Sequence, residues 1–227
     1  MLRAVIFDFD GVISDTELLH LRAFNNVLAG YGIEISKDDY FDKYLGLTDL
    51  DLIRELTAQG LLKGGEKTAI EAAEKKKVVF ENISRDEAEI IEGVREFIAM
   101  LYDNRIPMAI FSGALLAEIE LILQSVDLRR YFEIIVSAEH VTKAKPDPEG
   151  FVLALKRLNI KLGSDISPSQ CVVIEDSHWG LEAAIKAGMH TVAVTNSYKA
   201  EQLTMAEKVV KNLAHLTIDE LRHLCAR

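Results

Sequence analysis

The sequence predicts an α/β protein: a doubly wound parallel sheet with an inserted α-helical domain. Short apolar segments, each suited to a strand buried on both faces, recur along the chain and alternate with helical segments. The alternation is interrupted by an all-helical stretch of about seventy residues, which is too long for a plain crossover between two strands. With 227 residues, the chain is long enough to bury a full core.

The predicted strands share an apolar composition and lie at residues 2–7, 107–111, 133–136, 171–174 and 191–194, with a weaker sixth around 209–210. Helical segments separate them, as in a parallel doubly wound sheet. We therefore expect residues 1–15 and 86–227 to form one core domain. Residues 16–85 are expected to form a separate helical domain inserted between the first and second strands.

The inserted segment has visible helix starts. Ser36 precedes Lys-Asp-Asp, and Thr48 is followed three residues later by Asp51, in the manner of a capping box. The densest cationic run of the chain is Lys-Lys-Lys at residues 75–77. Because glutamates flank it, the run is interpreted as a solvated helix face.

The composition narrows the classes of function. A formal net charge of −10 argues against binding to nucleic acid or to an anionic membrane surface. Two cysteines, Cys171 and Cys225, form no disulfide framework, which fits a reducing compartment, and we expect a cytoplasmic location. No apolar run approaches transmembrane length, and the first one carries acidic residues, so we expect no membrane span and no secretory signal. The expected oligomeric state is a monomer or a weak homodimer.

Two aspartates follow the first predicted strand and carry the strongest functional signal. Asp8 and Asp10 are two residues apart, so their side chains point to the same side while Phe9 turns into the core. Gly11 allows the sharp turn that ends the strand. Two acids that face one point repel each other, and the pair is stable only if a cation binds there or one acid stays protonated. Taken alone, the pair could also simply cap a loop.

Polar residues also follow the next three predicted strands. Ser112 follows the second, where it could equally be the N-cap of a helix. Lys145 follows the third, in a Lys-Pro-Asp-Pro sequence whose prolines restrict the loop. Glu175 and Asp176 follow the fourth and begin the sequence Glu-Asp-Ser-His-Trp-Gly. Functional residues of such a sheet belong where the strand ends converge, so we expect these side chains to meet in one cleft.

These four ordered motifs resemble those of the haloacid dehalogenase superfamily, in its helical-cap phosphatase and β-phosphoglucomutase-like branch. The resemblance extends from residue 2 to about residue 194 and includes the Asp-Phe-Asp-Gly-Val sequence of residues 8–12. It implies a haloacid dehalogenase-like Rossmannoid core and identifies the insertion as a cap domain.

The resemblance also implies two-step phosphoryl transfer from a small phosphorylated metabolite. Asp8 would attack phosphorus and become an aspartyl-phosphate, while Asp10 would protonate the leaving oxygen and then activate water. Ser112 and Lys145 would bind the phosphoryl oxygens. Gly113, beside Ser112, is included among the expected substrate-binding residues.

Mg²⁺ is the cofactor that this resemblance implies. The expected ligands are Asp8, the carbonyl of Asp10, Asp176 and Glu175. Four carboxylates near one point concentrate negative charge, which a hard, oxygen-seeking cation relieves. The spacing does not distinguish Mg²⁺ from Mn²⁺.

The cap bears on the choice among reactions of this superfamily. Asp10 argues against dehalogenases and phosphonate-cleaving members, which typically lack that acid. His20 matches the β-phosphoglucomutase-like branch and could support Asp10 or simply pack in the domain. Leu45 and Asp49 stand where the phosphomutases carry cations for a second phosphate, and an aspartate would repel one. We expect His20 and Asp49 to be substrate-binding residues. Because Asp49 would repel a second phosphate, we favour a phosphatase. A phosphomutase is the alternative, and an inactive binding protein is less favoured.

Overall fold

The computed structural model describes residues 1–44, 47–87 and 89–226, without the side chain of residue 86. Contacts within the chain divide it into two compact units. One consists of Met1–Asp15 and Glu89–Arg227, and the other of Thr16–Ala88. The division into residues 1–15 with 86–227 and residues 16–85, expected from the sequence, runs close to these bounds.

The larger unit contains a six-stranded sheet whose strands are β1 (Ala4–Phe7), β2 (Met108–Phe111), β3 (Phe132–Val136), β4 (Cys171–Glu175), β5 (His190–Val194) and β6 (Lys208–Val210). All neighbouring strands are parallel, in the order β3-β2-β1-β4-β5-β6. The predicted doubly wound parallel sheet is confirmed, including its weak sixth strand. The order reverses at β1, which pairs with β2 on one side and β4 on the other.

The described residues form nine α-helices: α1 (Glu17–Leu28), α2 (Lys37–Asp39), α3 (Asp49–Ala58), α4 (Gly65–Glu87), α5 (Val94–Asp103), α6 (Leu116–Ser125), α7 (Glu149–Leu162), α8 (His178–Lys186) and α9 (Ile218–Leu224). The first four belong to the smaller unit, and the other five belong to the sheet-containing unit. No helix that the structure describes has both the length and the apolar character that a bilayer crossing needs.

The sheet is buried because its strands are apolar on both faces. Every residue of β1, β2 and β4 is buried, as expected for parallel strands covered by helices on either side. The ring of Phe7 lies edge-on to Phe97 and Phe132, with centroid separations of 5.9 and 5.7 Å. Such pairs stabilise a core by about 0.5–1.5 kcal/mol each beyond burial alone. This rigid sheet fixes the positions at which the functional loops begin.

The described residues of the smaller unit form helices joined by loops, as predicted. Its core contains Phe24, Leu52 and Ile53 among the buried residues. Both predicted helix starts are confirmed. The Ser36 hydroxyl accepts a hydrogen bond from the backbone N–H of Asp39, and the Thr48 hydroxyl accepts one from the backbone N–H three residues later.

The interpretation of residues 75–77 as a solvated helix face is wrong for Lys76. Its side chain is fully buried within the smaller unit. Lys76 Nζ lies 2.5 Å from His20 Nδ1 and 2.7 Å from Asp49 Oδ1, and it also lies over the rings of Phe24 and Phe80. An ion pair and two aromatic faces thus compensate for the loss of water around the ammonium group.

Candidate active site

The backbone after β1 folds into a tight turn that leaves Asp8 at the carboxyl edge of the sheet. The Asp8 N–H donates to the carbonyl of Ile174 in β4, at 2.9 Å, which continues the sheet pairing by one residue. Phe9 is buried in the core, as its place between the two aspartates predicts. Gly11 has a positive φ of 75°, and its N–H closes the turn on the carbonyl of Ser14 at 2.9 Å.

Lys145 joins the residues that follow β1 and β4. Its Nζ donates to Asp8 Oδ1 at 2.5 Å and to Glu175 Oε1 at 2.6 Å. The ammonium group also lies 5.0 and 5.4 Å from the ring centroids of Phe111 and Phe151. The structure therefore brings Asp8, Lys145 and Glu175 together in one network, as the strand order predicts.

Glu175 is held by its own loop as well as by Lys145. Its Oε2 accepts hydrogen bonds from the N–H of Asp176 at 2.9 Å and from the N–H and hydroxyl of Ser177 at 2.8 and 2.9 Å. A side chain at Gly180 would overlap the Glu175 carboxylate, which gives a steric reason for the glycine that ends this motif. Glu175 is completely buried, so these donors replace the water that a carboxylate otherwise binds.

Ser112 connects the second strand to Asp10. Its hydroxyl donates to Asp10 Oδ2 at 3.2 Å and accepts from the N–H of Ala114 at 3.0 Å. Helix α6 begins later, with Leu115 as its N-cap, so Ser112 does not cap it. Gly113 is exposed next to Ser112, and a Cβ built there meets nothing within 4 Å. The backbone at Gly113 is thus open to a ligand, whereas Ser112 is fully buried.

Asp176 completes the cluster and makes a contact that the sequence reasoning missed. Its Oδ2 accepts a hydrogen bond from the hydroxyl of Ser197, in the loop after β5. A Cβ at Gly11 would overlap this carboxylate. The only sequence signal for Ser197 is its position after a strand that ends at the same edge of the sheet.

The charges of this cluster perturb one another. Burial, followed by the neighbouring carboxylates, raises the pKa of Asp8 well above its ordinary value, while the Lys145 ammonium opposes the shift. Burial and the charge of Glu175 raise the pKa of Asp176 to about 7, against the hydrogen bond from Ser197. Burial works to lower the pKa of Lys145, but Asp8 and Glu175 outweigh it and the net shift is upward. Burial is thus the main reason why both aspartates favour the protonated form, and the neighbouring carboxylates add to it.

This donor set fits a divalent cation. Asp8, Glu175 and Asp176 each offer one carboxylate oxygen, and these atoms lie within 4.8 Å of one another. All three residues are buried, and hard carboxylate oxygens are the ligands that Mg²⁺ prefers. The carboxylate of Asp10 is not part of this group and faces the Ser112 hydroxyl instead, which leaves its carbonyl as the donor expected from the sequence.

The two expected substrate-binding residues of the helical insertion lie in the smaller unit. His20 stacks on Phe80 at a centroid distance of 4.0 Å and lies against Lys76, to which Asp49 is also bonded. Burial, followed by the charge of Lys76, lowers the pKa of His20 well below its ordinary value. Leu45, the other position singled out in this segment, lies outside the described residues.

Comparisons with known proteins show the family of this chain. A family model described as haloacid dehalogenase-like hydrolase matches residues 5–194. A phosphorylated carbohydrates phosphatase from Thermotoga maritima is 33% identical over 195 residues, which cover 84% of this chain and 84% of that protein. A β-phosphoglucomutase from Bacillus subtilis is 28% identical over 229 residues, covering 97% and 94% of the two chains.

A solved structure of a related fold superposes on this chain over nearly its whole length. The crystal structure of CbbY from Rhodobacter sphaeroides in complex with phosphate superposes with a TM-score of 0.83 at 24% identity, and the match covers 98% of this chain and 100% of that one. Together with the family match over most of the sheet-containing unit, this supports the predicted Rossmannoid core with a helical cap. The chain belongs to the haloacid dehalogenase-like hydrolase family, in which it is a phosphoric monoester hydrolase.

Proposed function

We propose that this enzyme is a Mg²⁺-dependent phosphatase that hydrolyses a small phosphorylated carbohydrate through an aspartyl-phosphate on Asp8. The observation that carries the proposal is the buried network in which Lys145 Nζ contacts both Asp8 and Glu175 while the Ser112 hydroxyl contacts Asp10. The substrate class is inferred from the similar phosphatase of Thermotoga maritima, which is named for phosphorylated carbohydrates.

In the first step, a carboxylate oxygen of Asp8 attacks phosphorus, and the bond from phosphorus to the sugar oxygen breaks. Asp10 transfers a proton to that leaving oxygen, so the alcohol departs uncharged. Lys145, which already contacts Asp8, holds the nucleophile in place and offers positive charge to the phosphoryl oxygens. We expect the Ser112 hydroxyl and the backbone at Gly113 to bind the same group.

In the second step, water attacks phosphorus and releases inorganic phosphate, which restores the Asp8 carboxylate. Asp10, now deprotonated, takes the proton from that water and is ready for the next cycle. Asp8, Asp176, Glu175 and the Asp10 carbonyl are the residues that would hold Mg²⁺. When bound there, Mg²⁺ offsets the negative charge of the carboxylates and of the phosphoryl group.

Phosphomutase activity is the second candidate, because the chain is similar to a β-phosphoglucomutase over nearly its whole length. A phosphomutase must hold a second phosphate during turnover, and charge-assisted contacts to a cation on the cap would serve that purpose. Here Asp49 accepts a hydrogen bond from Lys76 at 2.7 Å. Since the two charges offset each other, this pair is a poor anchor for a phosphate, and we favour hydrolysis.

The test is a product analysis of the purified enzyme with Mg²⁺. A panel of sugar phosphates is screened for release of inorganic phosphate. β-Glucose 1-phosphate is then supplied with catalytic glucose 1,6-bisphosphate, and glucose 6-phosphate and free phosphate are quantified together. We expect free phosphate to form faster than glucose 6-phosphate. Glucose 6-phosphate as the main product would instead establish the phosphomutase, and no turnover of any phosphate ester would reject both candidates.

A further inference from the structure

The loop after β5 reaches the carboxylate cluster through Ser197. Strands β4 and β5 are neighbouring parallel strands, with Glu175 in register with Ala193, so both strands end at the same edge of the sheet. The N–H of Thr195 donates to the carbonyl of Val210 at 3.0 Å, which extends the pairing with β6 beyond the end of β5. Ser197 therefore lies two residues after a backbone position that the sheet holds in place.

The Ser197 hydroxyl donates a hydrogen bond to the carboxylate of Asp176. Its hydrogen bond goes to Oδ2 of this carboxylate, and it is charge-assisted when Asp176 is ionised. The same carboxylate packs against the backbone of Gly11, where a Cβ would overlap it and would lie 2.9 Å from Ser197 Oγ. The loops after β1, β4 and β5 thus enclose the side chain of Asp176 between them.

The carboxyl group of an aspartate rotates about its Cβ–Cγ bond unless hydrogen bonds hold its oxygens. The contact with Ser197 engages one oxygen and so restricts the rotation of the Asp176 carboxyl group, which offers an oxygen within 4.8 Å of those of Asp8 and Glu175. Partners that hydrogen-bond a ligating group control its orientation, and their loss typically weakens metal binding about 10–100-fold.

We propose that Ser197 is a positioning residue that orients the Asp176 carboxylate for binding a divalent cation. The proposal rests on the proposed function, in which Asp176 is a ligand. Ser197 does not touch the reacting atoms in this account. Its effect is on the affinity for the cation, and the chemical step at saturating cation is left nearly unchanged.

The experiment measures cation binding directly and in the absence of substrate. Mg²⁺ binding is followed by isothermal titration calorimetry, and Mn²⁺ binding by electron paramagnetic resonance, for the wild type and for Ser197→Ala, Ser197→Thr and Ser169→Ala. Ser169 is an exposed serine whose hydroxyl contacts only a neighbouring hydroxyl among the described hydrogen bonds, so it is the matched control. Thermal unfolding of each variant checks that it is folded.

We expect Ser197→Ala to weaken cation binding by about tenfold or more, whereas Ser169→Ala binds like the wild type. Ser197→Thr keeps the hydroxyl, and because residue 197 is exposed the added methyl group has room, so its affinity returns to within about threefold of the wild type. In parallel, the Mg²⁺ concentration for half-maximal activity rises in Ser197→Ala while kcat at saturating Mg²⁺ stays close to that of the wild type.

Three results would overturn the proposal in different ways. If Ser197→Ala binds both cations as tightly as the wild type, Ser197 has no positioning role, and the proposed function is untouched. If the wild type itself binds neither cation, both proposals fail together. Equal weakening in Ser197→Ala and Ser197→Thr would also overturn the role of the hydroxyl, since the conservative variant would then not restore binding.

Discussion

At the scale of single residues, Gly11 shows how tightly the site is built. Its positive φ of 75° favours glycine, and the absence of a side chain makes room for the carboxylate of Asp176. The glycine therefore serves two purposes at once: it turns the chain after the two aspartates, and it lets the loop after β4 approach the loop after β1. Gly180, within α8, only makes room: the Glu175 carboxylate fills the space of its missing Cβ.

Asp10 gives the first prediction at this scale. We expect Asp10→Asn to lower kcat by about 10²–10⁴-fold on an alkyl phosphate, because an amide cannot protonate the leaving alcohol. The kcat for p-nitrophenyl phosphate should fall much less, since its phenolate leaves without a proton. Steady-state rates on both substrates, with the wild type as reference, measure the difference. An equal loss on the two substrates would count against general acid catalysis by Asp10.

At the scale of elements, α1 and α4 enclose a charged core cluster in the smaller unit. Lys76 of α4 contacts His20 of α1, and Asp49, at the start of α3, completes the contact. The ring of His20 is stacked on Phe80, one turn along α4. An ammonium group beside an imidazole favours the neutral form of the imidazole.

This cluster predicts a pH dependence. Because the pKa of His20 is well below its ordinary value in the folded state, the unfolded chain takes up a proton at a higher pH than the folded one. The contribution of His20 to the free energy of unfolding should therefore fall as pH drops from about 7 through about 6.5 toward its folded pKa, while the raised pKa of Asp176 acts in the opposite direction. Lys76→Met removes the second cause of the shift, so the pKa of His20, measured by NMR, should rise. An unchanged pKa would show that Lys76 does not act on His20.

Much of the sheet and its site could be predicted from strand ends alone. Asp8, Ser112 and Glu175 each follow an apolar segment, and parallel strands place such positions at one edge. Lys76 and Ser197 could not be found in the same way. Lys76 belongs to a buried stripe of α4 with Ala69, Ala72 and Phe80, but its charge and its lysine neighbours favoured a solvated face. Only the folded chain brings partners from distant segments to these two residues.

At the scale of the whole molecule, metal binding and folding should be coupled. A cation that binds the folded carboxylate cluster stabilises the protein by mass action, by about 2.7 kcal/mol at a hundred times its dissociation constant. We expect Mg²⁺ to raise the unfolding temperature of the wild type and to restore activity lost in EDTA. Asp176→Asn should lose most of this stabilisation, whereas Ser112→Ala should keep it. Full activity after exhaustive dialysis against EDTA would contradict the requirement for a metal.

The central claim is that Asp8 becomes phosphorylated during turnover, and a trapping experiment tests it most directly. Wild-type enzyme is mixed with a good substrate and Mg²⁺, quenched within the first turnover, reduced with borohydride and analysed by peptide mass spectrometry. An acyl phosphate is reduced to an alcohol, so we expect homoserine at position 8 and none in the Asp8→Asn variant, whose amide is a poor nucleophile. Asp8→Asn activity within about tenfold of the wild type, or reduction at another residue, would contradict the account.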